Sequence, residues 1–240
     1  MEVKPSFVGL VLVWCLLLGF LSEGRASSDG KVAVDFYSES LCPYCSNFIV
    51  NYLSKIVDNG VIDIVDLRMI PYGNAHVYPT GEIICQHGED ECKLNIIQTC
   101  AIKLWPKVTK WFPFILCLET LVEDLPRAQV YPKWKTCVEP AGLSLELLEK
   151  CSEGPLGDML EREFAAETDS LIPPHQYVPW VLVNGTPLYD DYVYIEKSVC
   201  QAYKGANTPN ACERYSGAGN AMIESVLQKK GSVRGVCERD

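Results

Sequence analysis

The tetrapeptide Cys42-Pro43-Tyr44-Cys45 lies between two segments of different hydrophobic period, and this junction constrains the chain more than any other feature. Lys31 to Ser38 (KVAVDFYS) alternates and is rich in β-branched and aromatic residues, which predicts a strand. After the tetrapeptide, Phe48, Ile49, Tyr52, Leu53 and Ile56 recur at helical spacing until Asn59-Gly60, which predicts a helix that starts near the motif. Val61 to Ile70 then reads as a buried strand broken by Pro71-Tyr72-Gly73. Two thiols on a first helical turn can close a small disulfide, and the helix start stabilises an exposed thiolate. Cys42 is therefore the candidate nucleophile, which attacks a substrate disulfide to form a mixed disulfide. Cys45, one turn deeper and less exposed, is the candidate resolving thiol, which attacks back onto Cys42 and leaves the pair oxidised. The inert alternatives are a structural disulfide or half of a zinc site. The latter needs two more ligands at matching spacing, and the chain has neither a second CxxC nor an HxxxH, so no metal is expected.

The compartment follows from the first residues. Phe7 to Leu21 is an uninterrupted apolar run preceded by Lys4 and followed by Gly24-Arg25-Ala26, so residues 1–26 read as a secretory leader cleaved before Ser27. No second stretch reaches spanning length, so the mature chain is expected to be soluble, with no membrane partner. The secretory route is oxidising, which favours disulfides among the cysteines. Of 12 cysteines, Cys15 leaves with the leader; setting Cys42 and Cys45 aside leaves an odd remainder, so at least one thiol is free or bonded to another molecule, and a disulfide-linked dimer stays open. Acidic residues number 31 against 21 basic ones, a formal charge of −10 that repels a phosphate backbone and excludes nucleic acid as an expected partner.

From Cys85 to about Ile172 the apolar spacing turns helical and cysteines recur, with Pro106, Pro113, Pro126, Pro132, Pro140 and Pro155 predicted to cut the run into short helices. Its last part, Asp158 to Asp169, reads as a helix with Met159, Leu160 and Phe164 on one side and a solvated acidic face. Strand chemistry resumes at Val178-Pro179-Trp180-Val181-Leu182-Val183; Asn184-Gly185 supplies a hairpin turn, Thr186 to Tyr189 the return strand, and Tyr192 to Tyr203 a closing helix. The order strand-CxxC-helix-strand, insertion, Pro-strand-strand-helix resembles the thioredoxin superfamily. That likeness implies a cis peptide at Val178-Pro179, with the backbone before Pro179 exposed to pair with a substrate strand; an edge-strand proline explains the same residues without function. The expected layout is an α/β, thioredoxin-like domain over 27–212 interrupted by a cysteine-rich helical insertion at about 85–172. A tail over 213–240 follows, with a short helix at Ala221 to Lys229.

A narrower resemblance rests on the insertion. Cys85-Gln86-His87-Gly88, Glu91-Cys92, Asn95 and Cys100 reproduce CQHGxxECxxNxxxxC, the signature of the gamma-interferon-inducible lysosomal thiol reductase (GILT) family, at every fixed position. Val178-Pro179-Trp180, Val183-Asn184-Gly185, Pro187-Leu188 and Cys200 also resemble that family's C-terminal half, so the likeness runs from about Lys31 to Cys212. It implies a reductase of protein disulfides at acid pH on the endosomal and lysosomal route, with Cys42 and Cys45 as the active pair and Pro43 and Tyr44 completing the motif. Disulfide-bonded proteins would be its partners. The redox disulfide takes the place of a cofactor, and a small thiol such as glutathione or cysteine would donate electrons. Acid places a demand on Cys42: a thiol of pKa near 8.5 is only about 0.03% thiolate at pH 5, whereas lowering it by about three units gives roughly a quarter.

Cys85 with Cys92, and Cys200 with Cys212, are close enough in sequence to be candidate structural disulfides. His87 is expected to hold a loop by hydrogen bonds in preference to transferring protons, and His76 and His175, with no motif around them, are expected to be structural or exposed. Asn184-Gly185-Thr186 is a candidate glycosylation site, although the Asn-Gly turn alone explains it. Two other functions compete with the reductase: an oxidase or isomerase on the same fold, and a secreted cysteine-rich binding module whose CxxC is a closed disulfide.

Overall fold

The computed structural model describes residues 30–216 and 235–239. The leader, its cleavage before Ser27 and the short helix expected at Ala221 to Lys229 lie outside them. In chain order the elements are β1 (Val32–Ser38), α1 (Pro43–Phe48), a π-helical turn (Ile49–Leu53), α2 (Ser54–Asp58) and β2 (Val65–Pro71), then a small ribbon of β3 (His76–Val77) and β4 (Ile83–Ile84). The helical insertion holds α3 (Glu89–Leu104), α4 (Val108–Asp124), α5 (Leu145–Ser152) and α6 (Pro155–Asp169). After it come β5 (Tyr177–Val178), β6 (Trp180–Val183), β7 (Thr186–Pro187), α7 (Ile195–Ala202) and β8 (Cys237–Glu238). A four-stranded sheet runs β2-β1-β6-β7, with β1 parallel to β2 and antiparallel to β6. As an inner strand, β1 is buried along its whole length.

Three local expectations give way to competing interactions. Val61–Ile64 is a 3-10 turn and β2 starts only at Val65, because Asn59 Oδ1 accepts the Val61 N–H at 3.2 Å and Gly60 O accepts that of Asp63 at 3.2 Å. Pro113 lies inside α4 and does not break it. The proline costs about 3 kcal/mol, but Trp111, Phe112, Phe114, Ile115 and Leu118 of the same helix are buried at about 1.5–3 kcal/mol each, so packing wins. On α6, Met159 is 47% exposed whereas the acid Glu161 is buried. Glu167 of the same helix accepts two bonds from Arg68, at 2.7 and 2.8 Å, so its acidic face is only partly solvated. At the hairpin, Asn184 and Gly185 both have positive φ (48° and 76°), the backbone a primed turn requires.

Arg68, on the edge strand β2, also reaches the buried Asp35 of the inner strand β1 at 3.2 Å, so one guanidinium ties these two strands to α6. Arg68→Met removes the cation and leaves Asp35 buried without it. Because the Arg68 side chain is 35% exposed, we discount the usual cost of a broken buried pair and expect a loss of about 2 kcal/mol, read as a lower urea midpoint at unchanged slope.

Candidate active site

The motif folds as a helix start because Cys42 takes extended backbone (φ −77°, ψ 118°) as the N-cap and Pro43, with its fixed φ and missing N–H, fits the first helical turn. The Val178–Pro179 peptide is cis, and the Val178 carbonyl oxygen lies 3.9 Å from Cys42 Sγ. Cys42 thus meets the backbone that precedes Pro179, although the two are 136 residues apart in the chain. Tyr44 is 41% exposed, and Cys45 is completely buried behind the motif.

The cysteines pair differently from the motif's own suggestion. Cys42 is bonded to Cys237, and Cys45 remains a thiol. The reason is strand pairing: β8 lies antiparallel to β5 with Cys237 opposite Val178, which brings the Cys42 and Cys237 Cα atoms to 6.2 Å, within disulfide reach. This covers Cys42, whose sulfur was expected at the surface. The structure also bonds Cys85 to Cys92 and Cys200 to Cys212. Cys100–Cys151 joins α3 to α5, and Cys117–Cys137 joins α4 to the 3-10 helix Tyr131–Cys137. The odd thiol is therefore Cys45, and its burial keeps it from linking a second chain.

Burial pushes the Cys45 thiol well above its ordinary pKa, and the negative charge of Glu39 adds to the effect, followed by Glu119 and Glu91. Burial also raises Glu119 well above the carboxylate range; it accepts a bond from Gln98 Nε2 at 2.5 Å. Burial therefore favours the protonated thiol form of Cys45.

The polar residues of the CQHG signature support this loop. Asn95 Oδ1 accepts from Ser40 N at 2.9 Å and from Ser40 Oγ at 2.6 Å. Glu91 Oε2 accepts the Leu41 N–H at 3.3 Å, and Glu91 Oε1 accepts that of His87 at 3.0 Å. His87 Nδ1 lies 2.6 Å from Glu91 and 3.4 Å from Glu39. The first turn of α3 thus holds the residues that lead into Cys42, and His87 acts as a strut between two carboxylates. Glu39, His87 and Glu91 bring one ligand atom each within 4.8 Å of one another, a grouping that these contacts already explain without a metal. Opposite them, Gly73 (φ 62°) presses on Glu39, where a Cβ would come 2.5 Å from Glu39 Cβ, and Asn74 N donates to Glu39 Oε2 at 3.0 Å.

Glu39, Asn74 and the pairing of Cys237 are absent from the sequence-based set of site residues. Only the odd cysteine count hinted at the last, and a pairing across 195 residues leaves no spacing signal. His175 is buried, and burial lowers its pKa to about 4, with Arg239 adding to the shift. His76 is half-buried in β3. Asn184 is exposed, and its Oδ1 accepts the Ala33 N–H at 3.0 Å, which gives it a turn-holding role of its own. The site can therefore do thiol-disulfide exchange: a cysteine at a helix start, a second thiol on the next turn and an adjacent strand edge.

Comparison with known proteins agrees. The profile of the family described as Gamma interferon inducible lysosomal thiol reductase (GILT) matches residues 33–141. The chain is 40% identical over 216 residues to the "Gamma-interferon-responsive lysosomal thiol protein" of Arabidopsis thaliana, covering 88% of each chain. It is 38% identical over 186 residues to the "Gamma-interferon-inducible lysosomal thiol reductase" of Mus musculus, covering 75% of this chain and 71% of that one. Among solved structures, DsbA from Mycobacterium tuberculosis in its reduced form superposes with a TM-score of 0.51 at 15% identity, over 80% of this chain and 91% of that one, which shows a shared α/β thioredoxin-like fold. With the signature residues buttressing the Cys42 loop and relatives similar over most of the chain, the protein belongs to the gamma-interferon-inducible lysosomal thiol reductase family.

Proposed function

We propose that the chain reduces disulfide bonds of protein substrates, with Cys42 as nucleophile and Cys45 as resolving thiol, in an acidic compartment of the lysosome or vacuole type or after secretion. The observation that carries this reading is Cys42 at the start of α1 beside the Val178 carbonyl, with the buried Cys45 thiol on the next turn. In the reduced enzyme the Cys42 thiolate attacks one substrate sulfur; the substrate S–S bond breaks, and the other sulfur leaves as a thiolate and takes a proton. Cys45 then gives up its proton and attacks Cys42 Sγ, releasing the second substrate thiol and closing Cys42–Cys45. Two small-thiol molecules, oxidised to their disulfide, restore the pair. Among the described residues no helix is long and apolar enough to cross a membrane. A leader over 1–26 and a single redox domain over 27–212 fit the same reading, and a glycan on the exposed Asn184 would be compatible with it.

The test is reduction of a denatured, disulfide-bonded protein at about pH 5 and pH 7 with a small-thiol donor. Activity retained at pH 5 is expected. Activity confined to pH 7 would remove the acidic compartment and keep the redox pair.

The protein's own titration bears on that compartment. Burial raises Glu161 to about 7 from its ordinary 4.5, with Asp158 adding to the shift. A carboxyl with a raised folded pKa contributes stability that is fully present below about pH 4.5 and is lost as pH climbs through 7. His175 acts in the other direction: with its folded value near 4, its contribution is full above about pH 6.5 and fades toward pH 4. Glu161→Gln should therefore stabilise the protein by on the order of 2 kcal/mol more at pH 8 than at pH 5, measured by urea unfolding at both values. An equal effect at the two values would contradict it.

A further inference from the structure

The Cys42–Cys237 bond is accompanied by a set of contacts that seat residues 235–239 in the active site. Val178 pairs with Cys237 and Tyr177 with Glu238 in antiparallel register, on the backbone directly before Pro179. Arg239 N donates to Gln176 O at 2.9 Å and extends the ladder. On the other side, Asn74 Nδ2 donates to Cys237 O at 2.9 Å and to Glu238 O at 3.3 Å, and Gln86 Nε2 donates to Glu238 O at 2.6 Å. Gln86 is the second residue of the CQHG signature, and Asn74 Nδ2 also reaches its Oε1 at 2.9 Å, which locks the two amides together. Tyr192 OH donates to Gly235 O at 2.7 Å, and Arg239 reaches Asp169 at 3.3 Å. Gly235 lies so close to Tyr44 of the motif that a Cβ there would come 1.7 Å from a ring carbon, so a larger residue must displace the Tyr44 ring or the segment.

These contacts have the form of a substrate complex. An extended strand is added to the edge before Pro179, its backbone carbonyls are bound by side-chain amides, and its cysteine is covalently attached to the nucleophile. We propose that Cys237 is a third redox-active cysteine, and that Gly235–Arg239 acts as an internal substrate holding Cys42 as an intramolecular mixed disulfide until a thiol releases it. This rests on Cys42 being the nucleophile of the reductase reading.

Release is thiol-disulfide exchange and conserves electrons. Cys45 loses its proton and attacks Cys42 Sγ; the Cys42–Cys237 bond breaks as Cys42–Cys45 forms, and Cys237 leaves as a thiolate that takes a proton. One disulfide and one thiol are present before and after. Full activation uses two molecules of a small thiol such as glutathione or cysteine, which become one small disulfide while Cys42 and Cys237 become thiols. A thiol tethered at the site has an effective concentration in the millimolar range, so the tail competes with substrate wherever external thiol is scarcer than that. The enzyme would then stay closed until small thiols accumulate.

The experiment uses the full-length secreted chain purified without reductant, alkylated under denaturing conditions and mapped by peptide mass. The expected wild-type result is a Cys42–Cys237 linked peptide with alkylated Cys45; Cys237→Ser should give Cys42–Cys45. In the reduction assay with sub-millimolar glutathione, wild type should show a longer lag than Cys237→Ser, whose resting Cys42–Cys45 bond is reduced without displacing a paired strand, with an initial rate about tenfold higher in the variant. Gly235→Val, which touches no sulfur, should shorten the lag by driving the segment off Tyr44. A wild-type map with only Cys42–Cys45, together with unchanged lag and rate in Cys237→Ser, would overturn the proposal while leaving the reductase intact. A wild type whose map shows Cys42–Cys237 but which stays inactive even after excess small thiol has reduced that bond would instead keep the pairing and remove the reductase reading, and with it the internal-substrate role.

Discussion

In a chain carrying Cys45→Ser and Cys237→Ser, mixed disulfides between Cys42 and substrate are expected to accumulate. Cys45 is the thiol on the turn behind Cys42, and Cys237 is bonded to Cys42 in this structure; with both gone, no free thiol remains among the described residues to displace the adduct. Rearrangement then depends on exchange without an enzyme thiol, so adducts that clear rapidly in the wild type should persist for minutes to hours. Non-reducing electrophoresis after acid quenching would show the adduct as a heavier band that reductant removes. Because burial and the nearby Glu39 raise the Cys45 pKa, resolution by the native thiol should accelerate as pH rises. The adduct band in the wild type should therefore be stronger at pH 5 than at pH 7.

Glu91→Ala is expected to cost about 3 kcal/mol and to lower activity by on the order of a hundredfold. The side chain is fully buried and accepts the backbone N–H groups of Leu41 and His87 while facing His87 Nδ1. Alanine leaves the buried Leu41 N–H without that acceptor, at about 1–3 kcal/mol, and the part-buried His87 N–H as well, at a lower cost. Leu41 immediately precedes Cys42, so the loss also frees the loop that positions the proposed nucleophile, and a displacement of about 1 Å can cost about a hundredfold in rate. Glu91→Gln keeps an acceptor oxygen and should lose less on both counts. Urea unfolding and the reduction assay check the two effects separately; equal losses in Ala and Gln would show that the acceptor geometry is not what matters.

The parts of the fold legible in sequence were those governed by local rules. A strand, a CxxC and a helix at 3.6-residue spacing gave β1 and α1, and Asn184-Gly185 gave the β6–β7 hairpin. The local rules failed where tertiary contacts outweighed them: Pro113 continues a helix because its apolar neighbours are buried, and Glu161 is buried on a face whose composition suggested water. At the site, Cys42, Cys45 and Pro179 stood out because motif and position coincide, and the structure brings Cys42 to the Pro179 edge. Glu39, Asn74 and Cys237 carried no such mark, because each acts through a partner distant in the chain. Asn74 holds the carbonyl of a residue 163 positions away, and nothing in the sequence near either residue encodes that meeting.

The most direct measurement is the initial rate of disulfide reduction by the full chain beside Cys42→Ser, at about pH 5 with a small-thiol donor in excess. The account predicts measurable reduction by the wild type and a fall on the order of a thousandfold or more in the variant, to the rate of the small thiol alone, the scale on which removing a nucleophile acts. Equal rates in the two chains, both above that background, would contradict the assignment of Cys42 as the attacking group.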